Sequence, residues 1–208
     1  MLGLIGKKVG MTSVFDDNGR QQNCTVIELG PCPVMDIKTV EKHGYSAVQL
    51  AFGEKKEKNV TKPVLGQFKK ANTTAKQVIL EFRATEELPE VGTVLTVDLF
   101  KQGEIVDVVG IAKGRGFQGV VKRHGFAGIG SRTHGQHDRE RAPGSVGSSS
   151  YPSRVFKGLR MAGRMGNNQV TMKNISVVKV LPESNLILVR GSVPGSPNTF
   201  VRIVKTAK

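Results

Sequence analysis

Short apolar runs separated by turn-forming residues fill the chain before residue 113 and predict a set of β-strands. Many positions in these runs alternate between apolar and polar side chains, and Val, Ile, Leu and Phe dominate the apolar ones, as is typical of strands. Gly, Pro, Asn and Asp stand between the runs and mark turns. The predicted strands are CTVIELG (24–30), VMDIKTV (34–40), YSAVQLAF (45–52), QVILEF (77–82), TVLTVDLF (93–100) and EIVDVVGIA (104–112).

The same pattern returns after residue 166 and predicts strands at QVTMKNISVVKVL (169–181), LILVRGSV (186–193) and TFVRIVK (199–205). The turn-forming sequence PESN (182–185) predicts that the first two form a hairpin. A tail of 42 residues is too short to fold alone, so we expect its strands to complete a sheet begun by residues 1–112. Many short antiparallel strands favour a closed or nearly closed barrel, which leaves no exposed sheet edge; a sandwich is the alternative.

One short helix is predicted at TKPVLGQFKKA (61–71). Thr61 suits the N-cap and Pro63 suits the first turn, while Val64, Phe68 and Ala71 fall on one face. The preceding GEKKEKNV (53–60) mixes charges of both signs and predicts a solvated turn.

The chain of 208 residues is long enough to bury a core. Its opening, MLGLIGKKVGMTSVF, has too short an apolar run for a signal peptide, and no stretch approaches the roughly 18 apolar residues that span a bilayer. We therefore expect a soluble, intracellular protein. Cys24 and Cys32 have no metal-site spacing, and we expect both to be ordinary buried or half-buried thiols.

Positive charge is concentrated in residues 113–166, which we call the basic segment. The chain has a formal net charge of +14, yet residues 1–112 are neutral overall. The basic segment holds 11 basic residues against Asp138 and Glu140, together with 12 of the 25 glycines. Eight of these cations are Arg, whose guanidinium suits bidentate phosphate contacts and stacking on bases. Because such a composition cannot build a core, it indicates either a solvated loop or a segment ordered by nucleic acid.

Gly114, Gly116 and Gly119 spell G-x-G-x-x-G after a predicted strand, the spacing of a dinucleotide-binding loop. Such a loop requires an amphipathic helix that opens at the third glycine. The following VVKRHGFAGIGSRTHGQ (120–136) contains four glycines, each of which costs up to about 1 kcal/mol inside a helix. The sequence therefore favours an extended glycine-rich backbone over an NAD site, and no cofactor is predicted.

Three histidines and a run of serines in the basic segment could suggest a metal site or a nucleophile. No Cys or close carboxylate completes four metal ligands with His124, His134 and His137. The serines of GSVGSSSYPS (144–153) have no obvious partnered base and acid. Both groups are better suited to contact phosphates, sugars or bases, so no catalytic or metal site is predicted.

A series of motifs runs along essentially the whole chain: GLIGKKVGMT, TKPVLGQF, EFR, KGRGFQGVVKRHGF, THG, APGSVG, RVFKGLRMAGRMGNNQVT and VRGSVPG. In sequence and in order, these motifs resemble the bacterial-type ribosomal protein L-three family, named after the third protein of the large subunit. The resemblance implies a mainly β fold with a six-stranded Greek-key barrel of the translation-protein type, a small α+β subdomain and a long extended loop. The barrel body would be residues 1–112 and 167–208 with the subdomain near 54–90, and the basic segment would be an RNA-penetrating arm with its tip near 143–152.

The resemblance also implies a structural, non-enzymatic constituent of the large ribosomal subunit. Such a protein binds 23S-type rRNA, supports early subunit assembly and extends its arm toward the peptidyl transferase centre. The expected partners are large-subunit rRNA and neighbouring large-subunit proteins in the cytoplasmic ribosome, with no membrane and no homo-oligomer. The predicted RNA-binding residues are Lys113, Arg115, Lys122, Arg123, His124, Arg132, His134, His137, Arg139, Arg141, Gly144, Ser145, Ser148, Ser149, Ser150, Arg154, Lys157, Arg160 and Arg164.

Three features depart from the family pattern. Serines occupy positions 148–150, where some bacterial relatives have a methylated glutamine, so we expect that modification to be absent. Leu159 stands where relatives usually have a cation, and Asp138 and Glu140 lie in a normally basic region. These differences affect individual phosphate contacts and leave the family resemblance intact.

Two other classes of function remain as alternatives to a ribosomal protein. A nucleotide-dependent oxidoreductase would use the glycine motif, and binding of NAD that depends on Gly116 would support it. A free nucleic-acid chaperone or DNA-packaging protein is suggested by charge alone. A segment that mixes Gly, Ser and His with so little Lys resembles a fitted insert more than a general duplex binder.

Overall fold

The computed structural model describes residues 3–16, 18–83, 88–130, 134–135 and 137–206. The chain divides into two compact units: Met1–Ala112 with Gln169–Lys208, which we call the body, and Lys113–Asn168, which we call the arm. Among the buried apolar residues of the described ranges, all but Val120 lie in the body. The body therefore holds the hydrophobic core.

Within the described residues, the strands are β1 (Gly3–Phe15), β2 (Gln21–Leu29), β3 (Cys32–Lys38), β4 (Ala47–Glu54), β5 (Lys76–Arg83), β6 (Val94–Leu95), β7 (Ile105–Ile111), β8 (Gly116–Gln118), β9 (Gly163–Met165), β10 (Gln169–Leu181), β11 (Leu186–Arg190) and β12 (Phe200–Lys205). The α-helices are α1 (Val40–His43), α2 (Lys62–Lys70) and α3 (Val120–His124), with 3-10 turns at Glu57–Asn59, Val97–Leu99 and Pro182–Ser184. Over these same ranges, none of the helices is long and apolar enough to cross a membrane.

Six strands of the body close into an antiparallel barrel in the order β1, β12, β7, β10, β11, β2. Alternation along strands such as β7 supplies part of the core. In β7, Val106 and Val108 are fully buried, whereas Ile105 and Ile111 are exposed. Closure gives every barrel strand two neighbours and leaves no edge to pair with another chain. The predicted mainly β fold with a closed six-stranded barrel is confirmed.

Glycines allow β1 to lie close to both of its neighbours. A Cβ atom on Gly3 would stand 2.4 Å from the carbonyl oxygen of Ile203 in β12, and one on Gly6 would stand 2.6 Å from that of Glu28 in β2. A larger residue at either position would push the strands apart. The sequence pattern does not predict β1, because two adjacent lysines and three glycines interrupt its apolar residues.

Lys8 of β1 is a buried cation that fastens the 191–199 loop to the barrel. Its Nζ atom donates to the carbonyl oxygens of Val193 at 2.7 Å and Gly195 at 3.1 Å. Its backbone N–H donates to the Thr199 carbonyl at 2.9 Å. Buried charges require such partners because desolvation penalises an unpaired ammonium group.

The other body strands form an antiparallel sheet in the order β5, β4, β3, β6. Phe68 of α2 packs with Met35, Ala51 and Ala75 in a second buried cluster beside this sheet. The helix predicted at 61–71 is thus confirmed. Thr61 occupies the N-cap in an extended conformation, but its side chain makes no capping hydrogen bond.

Several predicted elements differ in extent. TVLTVDLF is not one strand but β6 followed by a 3-10 turn, where the Thr96 hydroxyl donates to the Asp98 carboxylate at 2.7 Å. VMDIKTV ends as a strand at Lys38 because α1 begins at Val40. The predicted hairpin at PESN is confirmed, since β10 pairs with β11 and Asn185 adopts the left-handed φ of 52° that the turn requires.

Cys24 and Cys32 are both buried and free, as predicted. Burial raises the pKa of the Cys32 thiol to about 11, and the thiol donates to the Ile5 carbonyl oxygen at 3.4 Å. Burial also raises the pKa of Cys24. Both thiols are therefore uncharged packing groups at neutral pH.

Candidate nucleic-acid interface

The arm has almost no hydrophobic core. Val120 is the one buried apolar side chain among its described residues, and neither buried cluster of the described chain includes an arm residue. Several large side chains are instead exposed, with Phe117 at 76%, Tyr151 at 87% and Phe156 at 60%. The arm must therefore take its shape from backbone hydrogen bonds, glycine conformations and external contacts.

A two-stranded antiparallel ribbon forms the stem of the arm. β8 pairs with β9 so that Phe117 lies opposite Arg164 and Gln118 lies opposite Gly163. The Arg115 N–H donates to the Met165 carbonyl at 2.9 Å. The outgoing and returning chains therefore have a fixed register at this point.

The short helix α3 follows the ribbon and is hydrogen-bonded to the returning chain. Arg123 Nη1 donates to the Met161 carbonyl oxygen at 2.6 Å, and His124 Nε2 lies 3.0 Å from the same oxygen. A Cβ atom on Gly163 would stand 2.6 Å from Arg123 Nη1, so this glycine makes room for the guanidinium. Arg123 and His124, two of the predicted RNA-binding residues, therefore hold the stem together in this structure.

The glycine motif does not open a long helix. α3 has five residues, ends at His124 and is capped by Gly125, where φ is 74° and the N–H donates to the Val121 carbonyl at 3.0 Å. Gly116 has a φ of 66°, a conformation that favours glycine. The long amphipathic helix that a dinucleotide-binding fold requires after Gly119 does not form, as the sequence predicted. The single helical turn of α3 stands there instead of the extended backbone that the sequence favoured.

Beyond α3, two segments of the arm lie against each other. The Ile129 N–H donates to the Glu140 carbonyl at 3.3 Å, and a Cβ atom on Gly128 would stand 1.9 Å from that oxygen. Nδ1 of His137 lies 3.6 Å from Oε1 of Glu140. This acid, one of the departures from the family's basic pattern, is therefore engaged within the arm.

The tip is exposed from residue 143 to residue 151. The Ser145 hydroxyl donates to the Gly147 carbonyl at 2.9 Å, and the Ser153 hydroxyl donates to the Ser150 carbonyl. Gly144, Ser148 and Ser149 are exposed as well. Hydroxyl and backbone groups in such a segment can contact the sugar-phosphate backbone of a nucleic acid.

Cationic side chains cover the arm. Nine of its ten described Lys and Arg residues are exposed, Arg123 is half-buried, and within the described chain none of the ten forms an ion pair with a carboxylate. Arg132, the eleventh, lies outside the described residues. The nine exposed cations are Lys113, Arg115, Lys122, Arg139, Arg141, Arg154, Lys157, Arg160 and Arg164.

His134 and His137 are exposed rather than gathered into a metal site. Across the described residues, no group of three or more His, Cys, Asp and Glu side chains could hold a metal ion. An exposed imidazole is suited to polar contacts with a nucleic acid.

Sequence reasoning did not predict the β8/β9 ribbon or α3. The only signal is weak: GFQ and GRM are three-residue stretches, each bounded by glycines. Gly166, directly after GRM, is required by its surroundings. Its φ is 72°, and a Cβ atom on it would stand 2.0 Å from the Lys113 carbonyl oxygen. Strands this short are fixed by their partner more than by their own composition.

Comparison with known proteins places the chain in a family. The family model described as "Ribosomal protein L3" matches residues 70–184. A protein described as "Large ribosomal subunit protein uL3", from Chlorobaculum parvum, is 56% identical over 211 residues and is aligned over 100% of both chains. The match therefore includes the barrel, the second sheet and the arm, and the chain belongs to the ribosomal protein L3 family.

Proposed function

We propose that this protein is a structural, non-enzymatic constituent of the large ribosomal subunit that binds 23S-type rRNA through its arm. In this proposal the body anchors the protein among neighbouring large-subunit proteins in the cytoplasmic ribosome. The arm enters rRNA early in subunit assembly and directs its tip, near 143–152, toward the peptidyl transferase centre. The proposal is supported by membership of the ribosomal protein L3 family.

The observation that supports RNA binding most strongly is the exposed, unneutralised charge of the arm. Nine exposed cations without carboxylate partners in the described chain are unfavourable neighbours unless a polyanion is added. Phosphate groups would neutralise them and release condensed counterions from the RNA, which favours binding. Arg predominates among them, as expected where planar, bidentate phosphate contacts are needed.

The same contacts would complete the folding of the arm. With one buried apolar side chain among its described residues, the arm gains little free energy from packing, so its ordering entropy must be offset by its partner. The ribbon and α3 supply a partly ordered stem, and RNA would fix the exposed remainder. The protein would then act by holding rRNA segments in place.

Sedimentation of a cell lysate through a sucrose gradient tests the ribosomal assignment. We expect the protein to travel with large subunits and their precursors at moderate salt. Sedimentation away from large subunits under those conditions would contradict the assignment and would favour a free nucleic-acid chaperone.

Salt-dependent binding to an rRNA transcript tests the role of the arm. If about eight to eleven phosphates are neutralised, log affinity should fall with log salt at a slope of about −6 to −10. Crosslinks mapped along residues 113–166 would identify the contacting side chains. A slope near zero, or crosslinks confined to the body, would contradict the proposed interface.

A further inference from the structure

Phe117 is an exposed aromatic ring on an ordered piece of backbone. Its side chain is 76% exposed although it belongs to β8, where it lies directly opposite Arg164 of β9. Side chains that face each other across an antiparallel pair project from the same face of the ribbon. This face therefore presents a flat apolar ring beside a guanidinium group that has no carboxylate partner within the described chain.

Hydrogen bonds hold this face in place from both strands. The Arg115 N–H donates to the Met165 carbonyl at 2.9 Å, next to the Phe117–Arg164 pair. The Gln118 side chain donates to the Arg115 carbonyl. Arg123 Nη1 donates at 2.6 Å to the carbonyl oxygen of Met161, which precedes β9 by two residues. The backbone that carries the ring is thus ordered before any ligand arrives, which reduces the entropy lost on binding.

The other exposed aromatic rings of the arm are less suitable. The Arg154 Cζ atom lies 5.8 Å from the centroid of the Phe156 ring, so one face of that ring is already covered by a guanidinium. Tyr151 lies in a segment without strand or helix. In the described chain, no cation and no other aromatic ring stacks on Phe117.

We propose that the Phe117 ring is a preformed stacking platform for one unstacked RNA base, and that Arg164 contacts the phosphate next to that base. This proposal rests on the proposed RNA-binding function and adds a specific site and its ligand, a nucleotide in a loop or bulge. A paired base inside an A-form helix cannot offer its face to a side chain, whereas an unstacked base can. The platform would therefore direct the arm to a particular irregular RNA structure, which phosphate contacts alone cannot do.

Binding of the full-length protein to a transcript of the large-subunit rRNA from its own organism tests the platform. Stacking of a base on an aromatic side chain contributes about 1–3 kcal/mol, so Phe117→Leu should weaken binding by about 5- to 150-fold. The salt slope should stay unchanged, because no phosphate contact is lost. Phe117→Tyr and Phe117→Trp, which keep an aromatic face, should bind within about threefold of the parent protein.

Phe156→Leu is the matched control, since it removes an exposed phenyl ring from the same arm. It should weaken binding less than Phe117→Leu does. Arg164→Gln should reduce the salt slope by about one, unlike either phenylalanine variant. A circular dichroism melt of each variant should match the parent, because both rings lie at the surface.

The possible outcomes separate this site from the general function. If the parent protein binds RNA with a steep salt slope and Phe117→Leu binds within twofold of it, the platform is wrong and the RNA-binding function stands. Binding lost equally in the leucine, tyrosine and tryptophan variants would also overturn stacking, because the aromatic face would not be what matters. A parent protein that binds no rRNA would overturn both proposals.

Discussion

Ile27, Ile187 and Ile203 are fully buried inside the closed barrel of the body, whereas Val120 is the one buried apolar side chain among the described residues of the arm. The body excludes water from an extended core, and burial of each large aliphatic side chain contributes roughly 1.5–3 kcal/mol. The arm relies on a short ribbon, one turn of helix and glycines in left-handed conformations. One chain thus contains a unit that packing stabilises and a unit that packing barely stabilises.

The two units also treat positive charge differently. Lys8 in the body is buried, and its ammonium group donates to the Val193 and Gly195 carbonyls, so it stabilises the fold of the body. In the arm, side chains such as Arg139 and Lys157 are exposed and have no carboxylate partner in the described chain. The difference fits the proposed function, in which the exposed charge of the arm binds an anionic partner.

Removing residues 125–160 tests most directly whether the body is independent of the arm. The ends can be rejoined by a short Gly-Ser linker, since Nε2 of His124 lies 3.0 Å from the Met161 carbonyl oxygen. We expect the body to keep its cooperative thermal transition, because no residue of 125–160 belongs to either buried cluster of the described chain. Affinity for rRNA should fall by about a thousandfold at low salt, since about six phosphate contacts are lost.

Circular dichroism and filter binding measure these two effects separately. Reduction of the salt slope by about 4 to 5 is expected, in proportion to the cations removed. Loss of the cooperative melt would show that the body depends on the arm. An unchanged RNA affinity would place the main interface on the body.

Lys8→Met removes the buried cation of the body and tests whether that charge stabilises the fold. The carbonyls of Val193 and Gly195 would be left without this donor inside the protein, and an unsatisfied buried group costs about 1–3 kcal/mol. We expect the free energy of unfolding to fall by about 2–4 kcal/mol in urea denaturation. Lys157→Met, at an exposed arm position, is the control and should change stability by less than about 0.5 kcal/mol. Similar losses for the two variants would mean that Lys8 is not held as the hydrogen bonds indicate.

Much of the body could be predicted from sequence because its strands follow the alternation that a two-sided sheet imposes. EIVDVVGIA and TFVRIVK became β7 and β12, with Val108 and Ile203 inside. β1 could not be predicted in the same way, since its glycines serve close approach to neighbouring strands and Lys8 is buried. Both features depend on tertiary neighbours, which local patterns do not contain.

The candidate interface was predictable as a composition and less so as a structure. Counting charges and glycines separated the basic segment from the rest, because a coreless cationic stretch has few other uses. The ribbon that sets Phe117 opposite Arg164 was not predictable, since three-residue strands have no periodicity to detect. The contacts of Arg123 and His124 with the Met161 carbonyl join residues far apart in sequence, so a local pattern could not predict them either.

The free energy of unfolding should fall at high pH because the Cys32 thiol ionises. Burial raises the pKa of this thiol from 9.0 to about 11, so the folded protein holds the proton where the unfolded chain releases it. The stabilisation from this group is fully present below about pH 9 and is lost as pH rises through about 11. Urea denaturation of the parent and of Cys32→Ala across this range should show a steeper decline for the parent, by about 2 kcal/mol. Parallel declines would mean that the thiol is not protected in the core.

The smallest effect should come from a single arm cation, and it tests whether the arm rather than the body supplies the phosphate contacts. Arg154→Ala should weaken rRNA binding by only a few-fold and reduce the salt slope by about one, since one phosphate contact is lost. Arg83→Ala, at an exposed position in β5 of the body, is the matched control and should leave the slope unchanged. Equal reductions in the two variants would show that body and arm bind RNA alike. An unchanged slope for Arg154→Ala would mean that this guanidinium stays beside Phe156 and contacts no phosphate. Each other cation of the arm would then have to be substituted singly to find those that do contact phosphates.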